Sequence, residues 1–217
     1  MGIIDLSLTI DNECLTCGTP WHQKVQIEKM GSLETVGRNT SRFVLGSHTA
    51  THMDAPLHFI NGGHGIESTD LDNCVGEITC VDFRHIKAGG IVTLDEIKKI
   101  TISEKMLFVF GWSKNWKTSV YYKRFPYFAT DAVQHLLNSG MKMMAMDTPS
   151  PDDGSAISEL DDSPNHKLLL GADVVIVEYL CNTEKIDFMK KYEIIALPLK
   201  IFNADGAPAR VLLREVL

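Results

Sequence analysis

A chain of 217 residues, 44% hydrophobic and 23% charged, is long enough to bury a substantial core, and one domain spanning residues 1–217 is the simplest expectation. Its formal net charge of −7, with no basic run or basic-aromatic stripe, argues against nucleic-acid binding. No apolar stretch approaches the ~18 residues of a membrane span, and the start Met1-Gly2-Ile3-Ile4-Asp5 lacks a charged segment leading into an apolar one, so an intracellular, cytoplasmic protein is expected.

Ile3 to Ile10 alternates apolar and polar residues from position 4 and reads as an opening strand. The following loop contains Cys14-Leu15-Thr16-Cys17, a lone C-x-x-C without a second pair at zinc-ribbon spacing. With five cysteines in the chain, an odd number at irregular spacing, these read as reduced loop thiols. Val25 to Met30 and Ser41 to Ser47 read as strands separated by a loop containing Gly31 and Gly37.

The second of these strands runs into His48-Thr49-Ala50-Thr51-His52-Met53-Asp54-Ala55-Pro56-Leu57-His58, three imidazoles and a carboxylate within eleven residues. Such side chains bind borderline divalent cations and serve as acids and bases in hydrolysis. Ligands of one ion must bring their donor atoms to within ~2.0–2.2 Å of a common centre. One extended strand would hold His48 and His52 about 13 Å apart, whereas a helix would bring that pair together and rotate Asp54 away. A bend is therefore expected, with His48, His52 and Asp54 aimed inward, and Pro56 disfavours helix at Ala55. His64, in the glycine-rich turn that follows, reads as a loop residue.

Downstream, Glu77 to Phe83 reads as a strand, Thr93 to Ile100 as a helix opened by a capping box, and Leu107 to Phe110 as a buried strand ending in Gly111-Trp112-Ser113. Thr130 to Asn138 has helical spacing and Gly140 beyond its end; His135 lies on its surface. Lys142 to Met146 is the next strand, and Asp152 to Asp162 reads as a solvated acidic loop. Val174 to Val177 is an apolar strand ending at Glu178. Ile194 to Ile201, interrupted by Pro198, reads as an edge strand, Asn203-Ala204-Asp205-Gly206 as a turn and Arg210 to Val216 as the last strand. Periodicity thus gives a mixed α/β chain with many strands and few helices.

The segment His48 to His58 resembles the His-Thr-Gly-Thr-His-x-Asp-Ala-Pro-x-His signature of the cyclase-like metal-dependent hydrolases, the family that includes bacterial kynurenine formamidase. Ala50 stands where that signature carries Gly, so the added methyl is expected to alter the turn or narrow the metal pocket. The resemblance extends over nearly the whole chain, through Asp147-Thr148-Pro149-Ser150 at the pocket rim to the ending Asp205-Gly206-Ala207-Pro208-Ala209-Arg210. It implies a swivelling β/β/α fold, assembled as a homodimer or higher homo-oligomer. It also implies a metal site in which His48, His52 and Asp54 hold one divalent ion, while His166 and Glu178 hold a second or complete a single site, with Asp54 able to bridge. Zn2+ or Mn2+, one or two per subunit, suits imidazole and carboxylate ligands.

His58 is then the proton shuttle, with a further ligand as its other possible role, and Trp21 and Trp112 are candidate substrate-binding residues. The implied reaction is hydrolysis of a small amide, N-formylkynurenine being the familiar family substrate of tryptophan catabolism. A cyclic amide such as isatin or another small carboxylic derivative is the second enzyme reading, and a catalytically silent metal-binding protein is the alternative from a different class.

Overall fold

The computed structural model describes residues 2–156 and 163–216. Among these residues, twelve strands are formed: β1 Ile3–Asp5, β2 Gln26–Gly31, β3 Thr40–Val44, β4 His52–Asp54, β5 Val75–Asp82, β6 Ile91–Val92, β7 Lys105–Val109, β8 Tyr127–Phe128, β9 Met143–Met146, β10 Val175–Glu178, β11 Lys191–Pro198 and β12 Gly206–Val216. Among the same residues, the α-helices are α1 Leu33–Val36, α2 Leu94–Ile97, α3 Thr130–Asn138 and α4 Pro164–Gly171. A strand-rich α/β fold with few helices is therefore what the chain forms. Among the described residues, no helix is long and apolar enough to cross a membrane.

The main sheet runs β1-β12-β11-β5-β7-β9-β10-β4, and a further pairing of β4 with β12 closes it into a ring. β5, β7, β9 and β10 are mutually parallel; the others pair antiparallel. Parallel strands buried on both faces need continuous apolar runs, which explains Met-Leu-Phe-Val after Lys105 in β7 and Met-Met-Ala-Met in β9, both strands being buried at every position. Side chains alternate between faces. Leu107, Val109, Met143, Ala145, Val177, Ile194 and Leu213 share one core cluster, while Met106, Phe108, Met144, Met146 and Ile176 join a second that packs against α3 and α4.

The alternating run at the N-terminus forms a ladder only over Ile3–Asp5, because the edge of β12 that β1 uses is taken further along by β4. Asp5 pairs with Leu212, and continuing the register would bring residue 9 opposite Pro208, which already faces His52. The segment expected at an edge, β11, is interior: β12 lies on one side and β5 on the other. Pro198 is tolerated because it ends the strand, three residues beyond the last position paired with β5, where a missing N–H costs nothing on that side. Between β2 and β3 the expected loop contains α1, capped by Ser32 and ended by Gly37 at φ 72°. The acidic loop differs too: Asp152 is buried, and residues 157–162 lie outside the described part of the chain.

Candidate metal centre

The turn at residues 47–51 supplies the expected bend and hands the chain to β4, where period-two alternation puts His52 and Asp54 on one face and Met53 in the core. Ala50 sits at φ 54°, the left-handed region that costs a residue with a Cβ roughly 1–2 kcal/mol, which is why glycine suits this position. Its methyl does not narrow the cavity. It is buried with Cys14 and Val25, away from the cavity wall, and its carbonyl accepts a hydrogen bond from His52 Nδ1 at 2.8 Å. That bond leaves His52 Nε2 facing Asp54 Oδ1 at 3.2 Å and Glu178 Oε2 at 3.4 Å.

Glu178 ends β10, the neighbour of β4, and pairs directly opposite His52 in the register. His166 comes from α4, where Asp152 accepts the backbone N–H groups of Asn165 and His166 at 2.8 and 3.1 Å, a side-chain anchor for the first turn. The same carboxylate accepts from His166 Nδ1 at 2.7 Å. His166 Nε2 is thereby turned to Glu178 Oε1 at 3.3 Å and Asp54 Oδ2 at 3.5 Å. Nitrogen and oxygen atoms bound tetrahedrally at ~2.1 Å from one ion lie about 3.4 Å from each other, so the 3.2 and 3.4 Å separations of His52 from Asp54 and Glu178 suit ligands of one ion, while those of His166, 3.3 and 3.5 Å, run to the other oxygen of each carboxylate. Two buried oxygens, Asp54 Oδ2 and Glu178 Oε1, have no hydrogen-bond partner among the described residues. Orphaned buried acceptors are costly, and a cation would satisfy both. The donor set, imidazole nitrogen and carboxylate oxygen, fits a divalent transition metal.

His48 lies at the mouth of the cluster, with Nδ1 2.9 Å from Asp54 Oδ1 and Nε2 2.9 Å from Asp205 Oδ2. His58, on the short 3₁₀ turn Pro56–His58, places Nδ1 3.4 Å from Asp205 Oδ2 and its ring 4.0 Å from that of His48. Donor atoms of His48, Asp54 and His58 fall within one 4.8 Å sphere of separations, and those of His52, Asp54 and Glu178 within another. Asp54 belongs to both. His58 is thus within reach of a ligand role as well as of a proton-transfer role.

The charges follow from burial and from these contacts. Burial disfavours the charged form of His48, yet Asp54 and Asp205 outweigh it and raise its pKa to about 10. His166 is likewise raised, against its burial, by Asp152, Asp54 and Glu178. Burial would raise Asp54, but His48 and the other two imidazoles hold it well below the carboxylate range. Burial and the neighbouring Asp54 raise Glu178. His58 is lowered, mainly by burial. Without an ion, imidazolium protons carry the positive charge that the two buried carboxylates require.

A cavity of about 610 Å³ opens on the cluster and is lined by His48, His52, His58, His166 and Glu178, with Trp21, His22, Phe59, Tyr122 and Tyr179 among its walls. Trp21 is on the wall, stacked on His22. Trp112 is not: it is buried in the core cluster, where its Nε1 donates to the Tyr121 carbonyl at 2.9 Å and its backbone N–H to Asp147. A large apolar ring following a buried strand has more surface to bury inside than at a rim. Within Asp147-Thr148-Pro149-Ser150, Pro149 and Ser150 line the cavity, whereas Asp147 is buried beneath it and accepts from Phe110, Trp112 and Thr183; burial pushes it up to about 6.

His64 pairs with Asp173 on the surface, as a loop residue does. Cys14 and Cys17 are free thiols. Two carboxylates of the site, Asp205 and Asp152, were not legible as such. Asp205 sits in a turn 157 residues from His48, and Asp152 heads an acidic run of the kind usually solvated.

The model of the putative cyclase family matches residues 4–153. The chain is 28% identical over 217 residues to the kynurenine formamidase of Bacillus mycoides (strain KBAB4), covering 98% of this chain and 97% of that one. Among solved structures, a predicted metal-dependent hydrolase from Bacillus stearothermophilus superposes with a TM-score of 0.80 at 27% identity, over 98% and 97% of the two chains. An isatin hydrolase bound to the product analogue thioisatinate shares the fold, with a TM-score of 0.86 at 22% identity over 99% and 92%.

Proposed function

Because the chain belongs to the putative cyclase family, we propose that it is a metal-dependent hydrolase that cleaves the C–N bond of a small amide, with the whole of residues 1–217 as its catalytic unit. The observation that carries this reading is the set of four nitrogen–oxygen separations of 3.2 to 3.5 Å that His52 and His166 make to the two carboxylates Asp54 and Glu178, each of which has one buried oxygen with no hydrogen-bond partner among the described residues, opening directly on a cavity. His48, His52, Asp54, His166 and Glu178 would hold one ion, or two that share Asp54. Zinc and manganese both suit this donor set. An ion there supplies Lewis acidity towards the amide carbonyl and acidifies a water towards a neutral pKa.

The chain's own residues do the rest. His58, kept neutral near pH 7 by its burial, accepts a proton from the attacking water and returns it to the leaving nitrogen. Asp205 accepts from its Nδ1 and from His48 Nε2, fixing both rings relative to each other. Phe59 and Tyr179 exclude water from the reacting group; their rings lie 4.3 Å from that of His58 and 5.1 Å from that of His52. Exposed apolar side chains on the β2–β3 hairpin, Met30, Leu33, Val36 and Phe43, support assembly as a homodimer or higher homo-oligomer.

The test is elemental analysis followed by turnover of N-formylkynurenine, isatin and simple aryl formamides by zinc- and manganese-reconstituted protein. The expected result is about one or two equivalents of metal and hydrolysis of at least one compound. Metal below about a tenth of an equivalent would overturn the site. Full occupancy with no turnover of any of the three would leave the silent metal-binding reading in its place.

A further inference from the structure

Asp147, at the end of β9, is fully buried, and no Lys, Arg or His among the described residues pairs with it. Its two oxygens hold donors on two separate segments instead. Oδ1 accepts from the Phe110 N–H at 2.8 Å, and Oδ2 accepts from the Trp112 N–H at 3.1 Å and from the Thr183 hydroxyl at 3.0 Å. A buried carboxylate without a counter-ion is costly, so an uncharged side chain would suit this place better if filling space were its only task. What a carboxylate adds is a second acceptor oxygen, able to face donors on both sides at once.

One of the two segments is the bend that follows the candidate ligand Glu178. Tyr179 has φ 59° and Asn182 φ 56°, left-handed backbone that residues with a Cβ adopt only at a conformational cost. Strain of this kind persists where the surroundings fix it. The near end of the bend is fixed to the run that contains Asp147: the Tyr179 N–H donates to the Thr148 carbonyl at 3.2 Å and the Leu180 N–H to the Met146 carbonyl at 3.1 Å. The far end is Thr183, buried and held by Asp147 itself. Between these ends the Cys181 N–H reaches the Leu6 carbonyl at 2.9 Å, and Thr51 Oγ1 donates to the Tyr179 carbonyl at 2.7 Å, which joins the bend to the histidine turn. Residues 146–148 thus grip both ends of the bend, while Phe110 and Trp112 fix that grip to the end of β7.

Resting on the metal-site reading above, we infer that Asp147 is a positioning residue for the metal centre: by holding Thr183 and the end of β7 on its two oxygens, it keeps the strained bend closed and so aims the Glu178 carboxylate at His52 and His166. Glu178 stands 3.4 Å from His52 Nε2 and 3.3 Å from His166 Nε2 in the arrangement that the bend maintains. Both oxygens of Asp147 are engaged by the three donors, and its effect reaches the ion through Glu178.

Asp147→Asn keeps the shape of the side chain and replaces one acceptor oxygen by an NH2 group, which meets a donor head-on. Thr183→Val removes only the hydroxyl at the far end of the bend, and Thr183→Ser returns it. Zinc affinity is measured by competition with a chromophoric chelator, and the visible spectrum of the Co2+-loaded protein reports the geometry of the ligands. Asp147→Asn should weaken zinc about tenfold or more and Thr183→Val about threefold or more, each with an altered cobalt spectrum, while Thr183→Ser stays within about twofold of wild type. Ile97→Ala, on α2, is the comparison for stability alone: it should lower the thermal midpoint of the metal-free protein and leave affinity and spectrum unchanged. Wild-type affinity and spectrum in Asp147→Asn would overturn the proposal. So would a Thr183→Ser protein as weak as Thr183→Val, or the same loss of affinity in Ile97→Ala. If Asp147→Asn does not fold, the Thr183 pair decides. A wild-type protein that binds no metal removes the site and this proposal with it, whereas one that binds metal and hydrolyses no amide removes the hydrolase reading alone.

Discussion

His166 and His52 present the same nitrogen to the cluster for the same reason, a local acceptor that occupies the other one. For His52 the acceptor is the Ala50 carbonyl; for His166 it is the Asp152 carboxylate. Partners of this kind orient metal ligands and set their basicity. His58 differs: its Nδ1 faces Asp205 and its ring lies between those of His48 and Phe59. His52→Ala is therefore expected to lose both metal and turnover, whereas His58→Ala keeps at least half of the metal and loses most turnover. Elemental analysis beside an amide-hydrolysis assay checks the pair, and an empty site in His58→Ala would move His58 into the ligand set. Asp205→Ala removes the shared acceptor of His48 and His58 without removing a candidate ligand, so metal content should hold while kcat falls by roughly 10- to 100-fold. An unchanged kcat in the metal-replete variant would deny Asp205 that role.

Elements place these side chains through register. β4 lies between β10 and β12, so that His52 faces Glu178 across one ladder and Asp54 faces Gly206 across the other. Gly206 has no room for a side chain: a Cβ there would sit 2.8 Å from the Met53 carbonyl oxygen and 2.9 Å from His48 Cε1. Since real Cβ contacts do not come that close, Gly206→Ala must push His48 or separate β12 from β4. We expect metal affinity to fall about tenfold or more with the circular dichroism spectrum retained; titration with zinc reads the first and far-ultraviolet spectra the second. Wild-type affinity would mean that the strands yield without moving the histidine. The same register logic decides where the sequence reading of β1 and β11 ended differently. Alternation and a proline are local features, while the length of a ladder and the neighbours of a strand depend on which edges other strands already occupy.

For the molecule as a whole, the cluster ties three parts together: the turn and β4, the end of β10, and α4 beside the cavity. Without an ion, two buried carboxylate oxygens are left partnerless in that junction. Metal at about 100 times its dissociation constant should add ~2.7 kcal/mol of stability, which for a domain of this size is on the order of 5–10 °C in the thermal midpoint. Calorimetry with saturating zinc or manganese against excess chelator measures this, and coincident midpoints would argue against an ion at the junction. Within residues 48–58, residue identity and spacing are enough to locate a turn rich in candidate ligands, because three imidazoles and a carboxylate so close together have few other uses and the bend they need is a local property of the backbone. Apolar runs and alternation likewise give the strand-rich α/β class, since periodicity reports directly on which faces are buried. Tertiary structure alone brings Asp152 and Asp205 to the histidines, withdraws Trp112 into the core and closes the ring through β4 and β12. These outcomes rest on contacts between residues far apart in the chain, and the free energy of such contacts belongs to the packed molecule and is absent from any short segment read alone.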